Sequence, residues 1–167
     1  MADQGRYLPE RPFPPYAFLP GRDPHPVRDP RGHSYGEEEG PADYLEAARW
    51  AENEDYRFGV DLYNHGYLWE AHEAWEGLWH SAKHDEHQAL FLQGLIQCAA
   101  AALKVRMEQP RGLARLGDLG LEKLMHVMTR EGNPYMGVDV ATFQREMRAF
   151  MESTPTTIDT RPRIELF

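Results

Sequence analysis

The chain has 167 residues, enough for one domain with a real core, and its 41% hydrophobic and 27% charged content is that of an ordinary globular protein. The net charge of −9 at pH 7, with basic residues only loosely gathered at Arg22, Arg28 and Arg31, argues against a nucleic-acid partner, which needs a local excess of Lys and Arg. The single cysteine, Cys98, excludes an intrachain disulfide, and no apolar run suits a secretory leader or a membrane span, so a cytoplasmic protein with no membrane partner is expected.

Residues 1–40 hold most of the prolines, among them Pro12, Pro14, Pro15, Pro20 and Pro24, and an arm so rich in proline cannot be helical. Its aromatics Tyr7, Phe13, Tyr16 and Phe18 suit docking, either on the chain's own domain or on a protein partner or second copy. The alternative is a solvated arm. Glu37-Glu38-Glu39 then reads as a solvated hinge.

Helical signals begin at Asp43, where Glu46 would complete a capping box, with a second start at Asn53. Tyr56, Val60 and Tyr63 repeat at helical spacing up to Asn64-His65-Gly66, where Gly66 suits a left-handed cap. The next helix is expected over 67–83. Asp85 and Gln88 open another, which runs to about Glu108 and is apolar nearly all round, as befits a central helix. Pro110 stops it or starts a fourth helix marked by Leu113, Leu116, Leu124 and Val127 and weakened by Gly112, Gly117 and Gly120. Asp139 caps a last helix carrying Phe143, Met147 and Phe150. The expected fold is all-α, an antiparallel bundle of about five helices over 41–153, with the extended arm before it and an extended tail over 154–167.

The chemistry-bearing residues gather on two helices. At roughly 100° per residue, His72, Glu76 and His80 form one stripe, with Glu73 and Trp79 beside it. Gln93, Gln97, Ala100 and Lys104 form another on the following helix, beside Gly94 and Ala101, which are small enough to admit a close neighbour. If the two helices pack as antiparallel neighbours, the stripes face each other, and Glu76 pairs with a buried Gln97. Such a cluster is either a structural polar network, a small-molecule site with a Trp75 and Trp79 wall, or a metal centre. His72-Glu73-Ala74-Trp75-Glu76 opens like a zinc-protease H-E-x-x-H but has Glu in the fifth place. His72, Glu76 and His80 are the candidate ligands of a divalent transition metal. The outer pair are ~12 Å apart along the helix axis, too far to share one ion unaided, so no cofactor is expected.

Two runs also resemble a known family. Tyr63-Asn64-His65-Gly66-Tyr67-Leu68-Trp69-Glu70-Ala71-His72-Glu73-Ala74-Trp75-Glu76-Gly77-Leu78-Trp79, and then Phe91-Leu92-Gln93-Gly94-Leu95-Ile96-Gln97, resemble the signature of the family catalogued as domain of unknown function 309. The resemblance covers roughly residues 53–130, and Tyr135–Asp139 looks like the family's approach to its last helix. It implies a small all-helical bundle with no established activity. It also singles out Asn64, Gly66, Glu70, His72, Glu73, Glu76, Trp79, Gln93, Gly94 and Gln97. With these residues the polar cluster is expected to be structural or to bind a small ligand. A hydrolase-like enzyme is the other reading, with Glu73 or Glu76 as general base, His72 as proton relay, Gln93 and Gln97 orienting substrate, and a metal as possible assistant.

Overall fold

The computed structural model describes residues 5–38, 40 and 42–167. The end of the expected Glu37–Glu39 hinge and the expected domain start at 41 therefore lie outside the described residues. Five α-helices follow one another: α1 (Glu54–Asn64), α2 (Leu68–Ser81), α3 (Glu86–Arg106), α4 (Pro110–Glu131) and α5 (Val140–Glu152). No strand occurs among the described residues, so the all-α bundle stands.

Local chemistry explains the helix starts and stops. Asn53, Asp85 and Asp139 each accept a backbone N–H three residues on, capping α1, α3 and α5. Gly66, at φ 86°, follows α1 in a six-to-one, five-to-two cap: Tyr67 N donates to Leu62 O and Gly66 N to Tyr63 O. Pro110 begins α4 rather than ending α3, because a helix's first residues need no N–H donor. The capping box expected at Asp43 does not form. Its place is taken by extended chain and then a 3-10 helix, Ala47–Glu52, with no side-chain cap at Glu46. The reason lies at the start of α3: Tyr44 donates to Asp85, and Gln88 donates to the Leu45 carbonyl, holding this stretch out of a helix.

Each helix packs on its neighbour in sequence. The α3–α4 pair runs antiparallel, since Gly94 lies against Gly120 and Leu124, Cys98 against Gly120, and Lys104 against Gly112. A Cβ on Gly120 would sit 2.8 Å from both the Cys98 Sγ and the Gly94 carbonyl, so the two backbones approach as only glycine allows. Gly117 and Gly120 are thus contact points and not weak places in α4. Ring contacts from Tyr63 to Phe143 and from Tyr56 to Phe91 close α1 against α5 and α3. Among the described residues α3 alone is long and apolar enough to cross a membrane, and 61% of its most apolar stretch is buried in the bundle.

The arm and the tail are part of this body. Leu8, Phe18 and Ile164 are buried, and the Tyr7 hydroxyl accepts a hydrogen bond from Leu166 N at 2.8 Å, so the two ends meet.

Candidate functional site

The α1–α2 hairpin carries polar residues where an apolar surface would be expected, and three of them are buried: Asp61, Asn64 and Glu70. Burying such groups costs free energy unless each finds a partner. Asp61 is fully buried and accepts the backbone N–H groups of Tyr7 and Leu8 at 2.7 and 2.8 Å, with Arg6 Nε at 3.5 Å. Asn64 exchanges two hydrogen bonds of 2.8 Å with the backbone of Ile164. Glu70 Oε2 accepts Phe18 N at 3.0 Å and faces His33 Nε2 at 2.8 Å. Beside them the Tyr63 hydroxyl, its pKa raised by burial and so kept protonated, donates to the Pro162 carbonyl. These acceptors hold the two irregular ends of the chain. Asp61 and His33 escaped sequence reasoning. An aspartate set between Gly59-Val60 and Leu62-Tyr63 was the available signal, since a carboxylate on a core face needs a donor from somewhere.

The arm's aromatics complete the contact. Phe13 stacks on Tyr67 at 4.8 Å and lies 5.1 Å from the His65 ring, with the Arg6 guanidinium 3.9 Å above it. The Phe18 ring meets Trp69 edge-on at 5.3 Å. The arm therefore docks on the chain's own hairpin in this structure.

The remaining predicted residues are arranged differently. On α2, His72 lies 3.2 Å from Glu73 and 3.7 Å from Glu76, and His80 lies 4.0 Å from Glu76. One ligand atom from each of His72, Glu73 and Glu76 fits within 4.8 Å, so this trio, and not His72, Glu76 and His80, has the geometry that could hold a divalent ion. All three side chains are about a third exposed. Gln93, Gln97, Ala100 and Lys104 do form one stripe, but each is half-buried, because α3 packs on α2 and α4 and leaves this stripe at the seam's edge. Among the described residues the Gln97 Oε1 is buried with no hydrogen-bond partner, and the expected hydrogen bond from the Gln97 amide to Glu76 does not form. Gly94, expected to let another helix come close, admits α4. Trp75 is no wall of a site either: it is fully buried and packs over Gly59. Trp79 is half-buried, with Lys83 Nζ 4.6 Å above its ring.

Two cavities accompany these residues. One, of about 700 Å³, lies between α5 and the tail, beside Phe143, Phe150 and Arg161. The other, of about 490 Å³, lies between the arm and the α1–α2 hairpin. It is bordered by His33, Glu37, Phe58, Trp69, Glu70 and Glu73, so it reaches two of the predicted site residues and misses the α2–α3 seam. Glu70 binds the arm through Oε2. Its Oε1 is buried and has no hydrogen-bond partner among the described residues.

The family model described as domain of unknown function (DUF309) matches residues 56–116, from α1 into α4, and so spans both runs that carry the resemblance. No curated protein and no solved structure matches the chain.

Proposed function

With residues 56–116 taken as a domain of that family, we propose that the chain is a small-ligand-binding helical module whose ligand enters the cavity between the arm and the α1–α2 hairpin. The observation that carries this is Glu70 Oε1, a buried carboxylate oxygen without a donor among the described residues, on a side chain that borders a space of about 490 Å³. An unpaired buried charge-bearing group costs about 1–3 kcal/mol or more, a cost that a ligand's donor would remove. The volume is in the range of small-molecule sites, and the walls mix aromatic surface with a few polar groups. A fragment screen on isotopically labelled full-length chain tests it. Shifts should concentrate on Phe58, Trp69, Ala74 and Gly77, all beside the cavity. Shifts centred on Gln93 and Gln97, or none at all, would reject it.

A second reading rests on the trio His72, Glu73 and Glu76, whose ligand atoms converge within 4.8 Å. One imidazole and two carboxylates suit a hydrated divalent ion of the zinc or manganese kind, with water in the remaining positions. Calorimetric titration of the chain with zinc chloride, and of a His72→Ala, Glu76→Gln variant, checks it. Saturable binding lost in the variant supports the reading, and its absence in the parent chain removes it.

A further inference from the structure

We infer that the ligand of the arm-covered cavity is an organic cation, a protonated amine or a comparable ammonium or amidinium group. This rests on the cavity reading above and adds the chemical class. Glu70 has a side chain only 5% exposed, and the oxygen left free on it can only accept. Its partner must therefore bring N–H or O–H groups or a positive charge, and an anion is excluded by repulsion. The surrounding charge has the same sign: Glu37, Asp43 and Glu73 border the same space as Glu70. Against them stand Arg11, which is already paired with Asp55 at 2.8 Å, and His33, which already faces the other Glu70 oxygen at 2.8 Å. Among the described residues no arginine or lysine bordering the cavity is left over for Glu70, Glu73, Glu37 and Asp43.

The walls fit an organic cation better than a bare ion. The chain already seats one cation here, because the Arg11 guanidinium lies 4.3 Å above the Phe58 ring. Trp69 adds a second aromatic surface. A space of about 490 Å³ would leave a single metal ion mostly in water, whereas a small amine with an alkyl body fills it and puts its charged end on Glu70 and Glu73. The arm covers this space and is pinned by the same carboxylate, so the residue that recognises the ligand also holds the cover.

The test compares three four-carbon probes on the full-length chain by calorimetry: putrescine as dication, 1,4-butanediol as neutral and succinate as dianion, with zinc chloride as a fourth titrant. Putrescine should bind saturably, and 1,4-butanediol and succinate at least tenfold more weakly. Glu73→Gln, which leaves the arm's hydrogen bonds in place, should weaken putrescine at least fivefold, and Glu70→Gln at least tenfold. Gly77→Phe, at a cavity-bordering position with open space around it, should block binding by filling the cavity. If 1,4-butanediol or succinate binds best and Gly77→Phe blocks it, the cavity reading stands and the cation class is overturned. If zinc alone binds, the cation class is overturned also. If no probe shows saturable binding sensitive to Gly77→Phe, both fall.

Discussion

The α3–α4 seam and the α1–α2 hairpin hold their neighbours by opposite means. At the seam the contact is shape: Gly94, Gly120 and Cys98 bring two helix backbones together, and the side chains around them are apolar. At the hairpin the contact is polar. Asp61, Asn64 and Glu70 turn into the core and accept hydrogen bonds from chain that has no regular structure of its own. Helices satisfy their own backbones, so two of them need only fit. A proline-rich arm and a tail cannot, so the surface they cover must supply the acceptors. Polar residues in a helical motif can thus be holders of backbone as readily as chemical groups, and Glu70 is placed to be both.

The largest effect should come from breaking the seam. Gly120→Val puts carbon within contact range of the Cys98 Sγ and the Gly94 carbonyl, which cannot yield without moving a helix. Urea unfolding should show a loss of about 3 kcal/mol, at the upper end of overpacking costs. A variant as stable as the parent would mean the helices do not approach as described.

Next comes the hairpin. Asp61→Ala strands the buried backbone N–H of Leu8 and the half-buried one of Tyr7, and the chain should lose about 2 kcal/mol. The loss should be local, with the Arg6–Tyr7 bond, whose arginine lies beside Asp61, becoming accessible to trypsin while the α3–α4 seam stays protected. Cleavage at Arg6 in the variant no faster than in the parent would blur the contrast between the two regions.

A smaller, pH-dependent effect is expected at the cap of α5. Hydrogen bonds from Asn133 and Thr142 hold the Asp139 carboxyl down to about 2, below its ordinary 3.8. Since the folded value lies below the unfolded one, the contribution is present above 3.8 and lost as pH falls through about 2. Asp139→Ala should therefore melt lower than the parent at pH 6, with the gap closing toward pH 2. A gap independent of pH would assign the effect to helix propensity instead. The smallest effect concerns Cys98, whose thiol burial pushes up to about 12. It should resist alkylation in the folded chain and react only on unfolding. Rapid native labelling would show the seam to be open.

What the sequence made legible was local. The caps at Asn53, Asp85 and Asp139, and the turn at Gly66, are each set by residues within a few positions of one another. The aromatics of the arm also told correctly of an apolar surface to dock on. The roles of the polar motif residues were not legible, because their partners lie far off in the chain. Asp61 meets Tyr7 54 residues away, and Asn64 meets Ile164 100 residues away. The pairing of Glu76 with Gln97 failed for a related reason. Reading α3 as buried on every face took no account of α4, which occupies the Gly94 side and leaves the glutamine stripe at an edge. The family match locates the motifs without giving them roles.

The claim that the hairpin's buried polar residues hold the chain's own ends is tested most directly by native-state hydrogen exchange at four amides. Tyr7, Leu8, Phe18 and Ile164 donate to Asp61, Asp61, Glu70 and Asn64 in turn. All four should exchange slowly in the parent chain. Asp61→Ala should release Tyr7 and Leu8 first, Glu70→Ala should release Phe18, and Asn64→Ala should release Ile164. Fast exchange of all four in the parent, at the rate of a free peptide, would contradict the account.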